Sequence, residues 1–237
     1  MRREGARKSL EMPNTATSGH HSIKPRGIVI GKLDGATVAI VVAHEFEDIE
    51  LLYPIIRLSE EGAKIIVDAL PPGTAAHFHT RPYFADKPAT GRFESTVPLV
   101  VLEEGKRYVI RAVTELTPDD FDAIMFPGGF SPDFLRINPP TLQLVADAYN
   151  AGKVIAAICH GPQVLISVDR RHCIDMVRGR NVTRYAAVED NLRNAGGEYI
   201  DTGAIRVGSV VTGRCPNDFP EFCHEVGEAI LGARARA

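Results

Sequence analysis

The chain has 237 residues, of which 44% are hydrophobic and 24% are charged, and its formal net charge at pH 7 is -3. This length and composition are typical of one sizeable globular domain, and the small negative charge argues against a nucleic-acid-binding protein, which usually carries a basic surplus. No apolar run approaches the roughly 18 residues that a membrane helix needs.

The first 30 residues are mostly polar and basic and show no apolar period. Such a segment buries too little surface to offset the entropy of ordering it, so we expect a flexible tail over 1–30 and a single α/β domain over 31–237. The tail lacks the apolar core of a secretory signal, which favours a cytoplasmic protein with reduced thiols. Cys173, Cys215 and Cys223 show no CxxC spacing and are interpreted as structural.

The folded part begins with a strand–helix–strand pattern. Residues 36–43 are a continuous β-branched apolar run, typical of a strand buried on both faces of a parallel sheet. Residues 44–62 follow with apolar side chains at roughly helical spacing and a final glycine, and residues 63–70 supply a second strand. The pattern predicts a βαβ unit.

Residues 71–113 interrupt this pattern as an insertion. The part from 71 to 96 is rich in proline and glycine and predicts a long loop, which in a compact domain is usually a lid or the wall of a site. His77 and His79 lie in this loop. Two histidines without a third ligand make a poor metal site, so a place in the wall is favoured and no metal is predicted.

The rest of the insertion predicts a β-hairpin formed by residues 97–102 and 108–113, with Gly105 in its turn. The alternation of strands and helices then resumes with strands over 121–126 and 153–158, and a final helix ends the chain. Strands alternating with helices predict a mostly parallel central sheet between layers of helices, that is, a three-layer α/β sandwich.

Three polar clusters follow predicted strands, at residues 45–48, 127–129 and 159–162. Ligands of open α/β sheets bind beyond the carboxyl ends of the strands, where such clusters meet whatever their distance in sequence. We therefore expect the candidate site at this edge of the sheet.

Cys159 lies between a buried strand and the helix that directly follows, where the chain must turn sharply. The small residues Ala157 and Gly161 on either side permit such a nucleophile elbow. A sulfur near a helix N-terminus is favoured as thiolate by the partial positive charge there. A lone cysteine is more often an inert core residue. The adjacent His160, with Gly161 and Pro162 behind it, favours the nucleophile.

A histidine that acts as a base needs an acceptor on its second ring nitrogen, and adjacency alone does not show that His160 contacts Cys159. Asp133, placed after the Pro-Gly-Gly turn, is a candidate for that acceptor. A helix cap by Ser131 or Asp133 explains the same residue equally well, and both interpretations stay open.

Two further pairs have both a functional and an ordinary interpretation. Glu47 complements the dipole at the start of a helix, or it exchanges a proton with the thiolate, and Glu50 on the same helical face could join it. Gly128 and Gly129 form an ordinary turn, or they let backbone N–H groups approach a substrate and stabilise an oxyanion. The sequence alone does not choose between these interpretations.

Four stretches together resemble the DJ-1/ThiJ/PfpI superfamily: AHEFEDIELLYP, FDAIMFPGGFSPDFLR, KVIAAICHGPQVLIS and TRYAAVEDNLRNAGGEYID. They span roughly residues 36–232 in the right order, and AICHGP with FED upstream is a specific combination. The nearest branch comprises the PfpI-like intracellular proteases or amidases and their glyoxalase-III relatives. The resemblance implies a flavodoxin-like sandwich with a nucleophile elbow and a cofactor-free enzyme.

The resemblance also implies roles for single residues. Cys159 would be the nucleophile, His160 its partner, and Glu47 the acidic residue that is hydrogen-bonded to the sulfur. Asp133 would reach His160 from a neighbouring subunit, which implies a homo-oligomer of two or more copies. PfpI-like members usually carry glutamate at that position, and the aspartate here is shorter.

Gly129 and the amide of His160 would form the oxyanion site, and Tyr185 would line the pocket. The long 71–96 insertion is similar to the plant glyoxalase-III branch and favours small carbonyl substrates, through glyoxalase or deglycase chemistry at Cys159. An intracellular peptidase or amidase with the same residues is one alternative. A non-enzymatic redox sensor or chaperone that acts through oxidation of Cys159 is another. No nucleic-acid or membrane partner is predicted.

Overall fold

The computed structural model describes residues 31–70 and 88–236. The predictions about the tail over 1–30, about His77 and His79, and about most of the 71–96 loop lie outside these residues. The strands are β1 (Thr37–Val42), β2 (Lys64–Ala69), β3 (Val109–Ile110), β4 (Ala123–Phe126), β5 (Val154–Ile158), β6 (Asn181–Val182), β7 (Glu198–Tyr199), β8 (Ala204–Val207) and β9 (Val210–Gly213).

The α-helices of the described residues are α1 (Asp48–Glu60), α2 (Ser131–Leu135), α3 (Pro139–Asn150), α4 (Pro162–His172), α5 (Glu189–Asn194) and α6 (Phe219–Arg234). None of the helices in this part of the chain combines the length and apolar character that crossing a bilayer requires.

Seven strands form one sheet in the order β3-β2-β1-β4-β5-β9-β8. Every neighbouring pair is parallel except β8 and β9, which pair antiparallel. Strands β6 and β7 form a separate small parallel sheet. The arrangement confirms the predicted α/β class with a mostly parallel, flavodoxin-like sheet.

Strand β1 shows why the sheet needs helices on both faces. Val38, Ile40 and Val42 lie in one apolar core with side chains of α1 and α6. Ala39 and Val41 lie in a second core with side chains of α3 and α4. Because successive side chains of a strand point to opposite faces, a continuous apolar run is stable only when both faces are covered.

The predicted hairpin is wrong. Residues 97–102 form no strand, and Val100 and Val101 are 91% and 71% exposed. Of the second predicted strand only β3 forms, and it pairs in parallel with β2. Pro98 is one physical reason, since proline cannot donate to a strand ladder. The β-branched residues gave a strand pattern without the neighbouring chain that a strand requires.

Asp68 on β2 is a buried carboxyl that should couple the stability of this fold to pH. It is 1% exposed, and its Oδ2 has no hydrogen-bond partner among the described residues. Burial raises its pKa from 3.8 to about 7, although a hydrogen bond from the Val113 amide opposes the rise. The folded chain therefore holds this proton more tightly than the unfolded chain does.

We expect the free energy of unfolding to fall as the pH rises from about 4 to about 7, by at most about 4 kcal/mol from this group. Below the unfolded-state pKa the carboxyl is neutral in both states, so the loss begins only above it. Urea denaturation of the wild type and of Asp68→Asn across this range checks the prediction. The substitution should flatten the decline, and an unchanged slope would contradict it.

Candidate active site

The structure brings the three polar clusters together at the carboxyl ends of β1, β4 and β5, which are neighbours in the sheet. Phe46 and Gly129 form an isolated antiparallel bridge between the first two loops. The Phe130 amide donates to the Glu45 carbonyl at 2.8 Å, and the Cys159 amide donates to the Gly213 carbonyl at 3.0 Å. Backbone hydrogen bonds thus fix the loops relative to one another.

Cys159 occupies the sharp turn that the sequence predicts between β5 and α4. Its φ is 61°, a left-handed conformation that is strained for a residue with a side chain. Gly161 is required two residues later, because a Cβ there would lie 2.3 Å from the Phe126 carbonyl oxygen. The Cys159 side chain is largely buried, with 7% of the residue exposed.

The acidic partner of the sulfur is Glu50, so the contact that the resemblance assigns to Glu47 is wrong. Glu50 is 0% exposed, its side chain hydrogen-bonds with Cys159, and its Oε2 accepts from the Gly128 amide at 2.5 Å. Glu47 instead forms an ion pair with Arg92, with Nη1 3.1 Å from Oε2. Glu47 is the N-cap of α1 and has extended backbone angles, so helical spacing does not carry its side chain to the sulfur.

Burial sets the protonation of the Cys159–Glu50 pair. It raises the pKa of Glu50 to about 8, while hydrogen bonds from Gly128 and Cys159 oppose the rise. Burial and the Glu50 carboxyl raise the pKa of the Cys159 thiol, and the amides of Gly129 and His160, which donate to the sulfur, lower it. The expectation that a nearby helix N-terminus makes Cys159 a thiolate overlooked this burial.

Two coupled acids in one buried site lose their protons in two steps, and each acid affects the pKa of the other. The first proton leaves with a pKa of about 8. The second stays on the Cys159 sulfur, because burial and the Glu50 carboxylate hold the pKa of the thiol higher still. Above this pKa a Glu50 carboxylate is in contact with the thiol and can accept its proton as the sulfur attacks a substrate.

His160 lies beside the sulfur, with Nδ1 3.3 Å from Sγ of Cys159. Burial lowers the pKa of His160, the Asp133 carboxylate opposes this, and Arg92 adds to it. A neutral imidazole at neutral pH can accept a proton. Asp133 is exposed on α2 of the same chain, and within the described residues no direct hydrogen bond joins it to His160. Its supply by a neighbouring subunit stays a prediction.

Two aromatic side chains border His160 on the open side of the site. The ring of Tyr185 lies 5.1 Å from the imidazole, and the ring of Phe130 lies 6.3 Å from it. Both residues are more than 40% exposed. The resemblance pointed to Tyr185, whereas Phe130 was missed, although its position directly after the Pro-Gly-Gly turn was an available signal.

Arg92 is a second residue that the sequence did not reveal. It comes from the inserted loop, and its guanidinium carbon lies 5.3 Å from the centroid of the Phe130 ring. The loop is held by Asp48, whose carboxylate accepts from the amides of Phe93 and Ser95, both at 2.8 Å. No periodic pattern in the sequence predicts the position of such a loop, because that position depends on one buried carboxylate distant in sequence.

Comparison with known proteins finds relatives of this chain in sequence and in structure. A sequence profile of the DJ-1/PfpI family matches residues 36–229. A deglycase of Pyrococcus abyssi is 33% identical over 188 residues, which cover 79% of this chain and 95% of the relative. A Bacillus subtilis protein named "Putative cysteine protease YraA" is 31% identical over 188 residues, which cover 79% of this chain and 94% of the relative.

A crystal structure from Anabaena variabilis, of a two-domain protein with DJ-1/ThiJ/PfpI-like and ferritin-like domains, aligns with a TM-score of 0.65 at 29% identity. The alignment covers 83% of this chain and 48% of that protein, so this chain spans about half the length of that structure.

Proposed function

We propose that this chain, which belongs to the DJ-1/PfpI family, is a cofactor-free enzyme that processes small reactive carbonyls through Cys159, as a glyoxalase III or deglycase. The observation that carries the proposal is the buried Cys159–Glu50 pair, with the His160 imidazole 3.3 Å from the sulfur. It combines a nucleophile with two groups that can carry a proton. The deglycase name of the Pyrococcus abyssi relative supports the carbonyl class.

With methylglyoxal, the reaction begins when the Cys159 sulfur attacks the aldehyde carbon. A C–S bond forms, the carbonyl oxygen takes up a proton, and a hemithioacetal results. The amides of Gly129 and His160, which donate toward the sulfur, are suited to stabilise negative charge on that oxygen as it develops.

The second stage moves a proton between the two carbons. The Glu50 carboxylate, or the His160 imidazole, removes the proton from the former aldehyde carbon, and a proton returns to the neighbouring carbon. The first carbon is oxidised to a thioester as the second is reduced to an alcohol, so no external oxidant is needed. Water then attacks the thioester, the C–S bond breaks, and lactate leaves.

Lactate formation from methylglyoxal without glutathione is the direct test. We expect the wild type to produce lactate and Cys159→Ser to lose about 10³-fold or more in rate, since the residual rate then depends on positioning alone. Cys223→Ser is the matched control, because Cys223 is also a buried free cysteine, on α6. Equal rates in the wild type and Cys159→Ser would refute the proposal.

A cysteine peptidase or amidase is the second candidate, and the name of the Bacillus subtilis relative favours it. The sulfur would attack an amide carbon, His160 would protonate the departing amine, and water would hydrolyse the acyl-enzyme. A panel of fluorogenic peptides and amides distinguishes the two candidates. If kcat/KM for any of these substrates exceeds that for methylglyoxal, the second candidate replaces the first.

A further inference from the structure

We infer that the chain has a second binding site, for a phosphate-bearing small molecule, at the end of the sheet opposite Cys159. A cavity of about 530 Å³ lies there, within the range that small-molecule sites occupy. It is bordered by the first residues of β1 and β2 and by β3, at the sheet edge, whereas Cys159 follows the carboxyl end of β5.

The charged side chains of the lining are four cations and one carboxylate: Lys64, Lys106, Arg107, Arg111 and Asp120. Lys106 pairs with the exposed Glu103 and Arg111 with Asp120. Within the described part of the chain, neither Lys64 nor Arg107 forms an ion pair. Among the residues that the structure describes, the cavity thus keeps two positive charges that no ion pair neutralises.

Two guanidinium groups of the cavity are held in place by hydrogen bonds. Arg111 donates through Nη1 to Asp120 Oδ1 at 2.7 Å and through Nη2 to the Glu115 carbonyl at 2.9 Å. Arg107 donates through Nη1 to Ser59 Oγ at 3.1 Å. A held guanidinium loses less freedom when it binds a ligand, and its remaining N–H donors match the geometry of phosphate oxygens.

The lining of the cavity also includes buried apolar residues. Ile65, Ile66 and Tyr108 line it and are each at least 95% buried. The Tyr108 hydroxyl accepts a hydrogen bond from the Leu99 amide at 2.8 Å, which fixes the ring. A concave site lined by apolar residues and several cations suits a compact ligand with at least two negative charges. A phosphate ester or a pyrophosphate has this character.

Isothermal titration of the full-length wild type with pyrophosphate, ADP and citrate tests the inference. We expect both phosphate probes to bind and the tricarboxylate citrate to bind more weakly. Tighter binding of ADP than of pyrophosphate would identify a nucleotide as the source of the phosphate, and the reverse order an inorganic phosphate. Citrate binding as tight as that of both phosphate probes would overturn the assignment to phosphate.

The double variant Lys64→Glu/Arg107→Glu should weaken pyrophosphate binding by about tenfold or more, because two cations of the lining are replaced by carboxylates. Arg170→Glu/Arg178→Glu is the matched control, since it makes the same change in net charge at exposed residues away from the cavity. Equal weakening in the two double variants would show that the effect comes from the net charge of the protein alone, and it would overturn the proposed site. Circular dichroism checks that both variants fold.

This inference does not depend on the chemistry at Cys159. Lactate formation by Lys64→Glu/Arg107→Glu, measured without any phosphate, should equal that of the wild type. Absence of binding by every probe would overturn the second site and leave the catalytic proposal standing. Absence of lactate formation would overturn the catalytic proposal and leave the second site standing.

Discussion

Replacement of Glu50 by glutamine is expected to lower kcat/KM for carbonyl turnover by about 10²–10⁴-fold, the range typical of losing a general acid–base group. Glu50 is fully buried and hydrogen-bonds with Cys159. Glutamine keeps the size of the side chain and can still accept from the Gly128 amide. It cannot take up and return a proton, so the second stage of the proposed reaction should fail.

Glu47→Gln is the matched control for this prediction. The two glutamates are three residues apart, but Glu47 is partly exposed and contacts Arg92 rather than the sulfur. An ion pair of this kind contributes at most about 1 kcal/mol, so we expect a loss of less than about tenfold. Steady-state kinetics on both variants decide the matter. Comparable losses would contradict the assignment of the proton-carrying role to Glu50.

The pH dependence of thiol reactivity gives an independent readout of the same pair. Since burial raises the pKa of Glu50 to about 8, the carboxylate that can take the proton from the attacking thiol becomes populated as the pH rises through that value. Alkylation of Cys159 by iodoacetamide should accelerate with an inflection near pH 8. In Glu50→Gln that inflection should disappear, and its persistence would show that another group controls the sulfur.

The fold was largely predictable because buried parallel strands have a strong local signature. The apolar runs at 36–43, 63–70, 121–126 and 153–158 each contain a strand of the central sheet. Residues 97–102 carry a similar β-branched signature and form no strand. The four runs that form strands have a neighbouring strand to pair with, and residues 97–102 do not. The presence of a neighbour is a property of the tertiary structure and cannot be read from a short stretch of sequence.

The position of the site followed from topology, but the choice between its two glutamates did not. The carboxyl ends of parallel strands lie at the same edge of the sheet, so Gly128 and Cys159 were expected to meet. Glu47 and Glu50 both lie near the start of α1, and only the extended backbone at residue 47 separates their directions. Helix boundaries are uncertain by one or two residues from sequence, and here that uncertainty decides which carboxyl meets the sulfur.

The protonation of the site and the position of Arg92 could not be predicted from the sequence for a different reason. The raised pKa of the Cys159 thiol is the balance of burial and the Glu50 carboxyl against two amides. Arg92 reaches the site because Asp48 holds the amides of Phe93 and Ser95. Both depend on distances between segments far apart in the chain, which spacing within one segment cannot report.

Gly128→Ala should be nearly as damaging to turnover as the loss of Glu50, although it removes no reacting group. A Cβ at this position would lie 2.8 Å from the Cys159 Cβ, 2.8 Å from the His160 amide nitrogen and 2.9 Å from Glu50 Oε2. All three separations are shorter than normal contacts, and the amide nitrogen belongs to the backbone, so the elbow itself must shift. Overpacking of this kind typically costs about 1–3 kcal/mol of stability.

The larger effect should be on catalysis, because the methyl group would separate the sulfur from both of its proton-carrying partners. A misplacement of about 1 Å can cost about 10²-fold in rate, and we expect kcat/KM to fall by at least that much. Gly232→Ala on α6 is the matched control, since its Cβ would meet the ends of two flexible arginine side chains, at 3.5 and 3.9 Å. It should keep full activity and gain a little helix stability. If Gly128→Ala folds and turns over substrate at the wild-type rate, the three groups do not act as the compact unit described above.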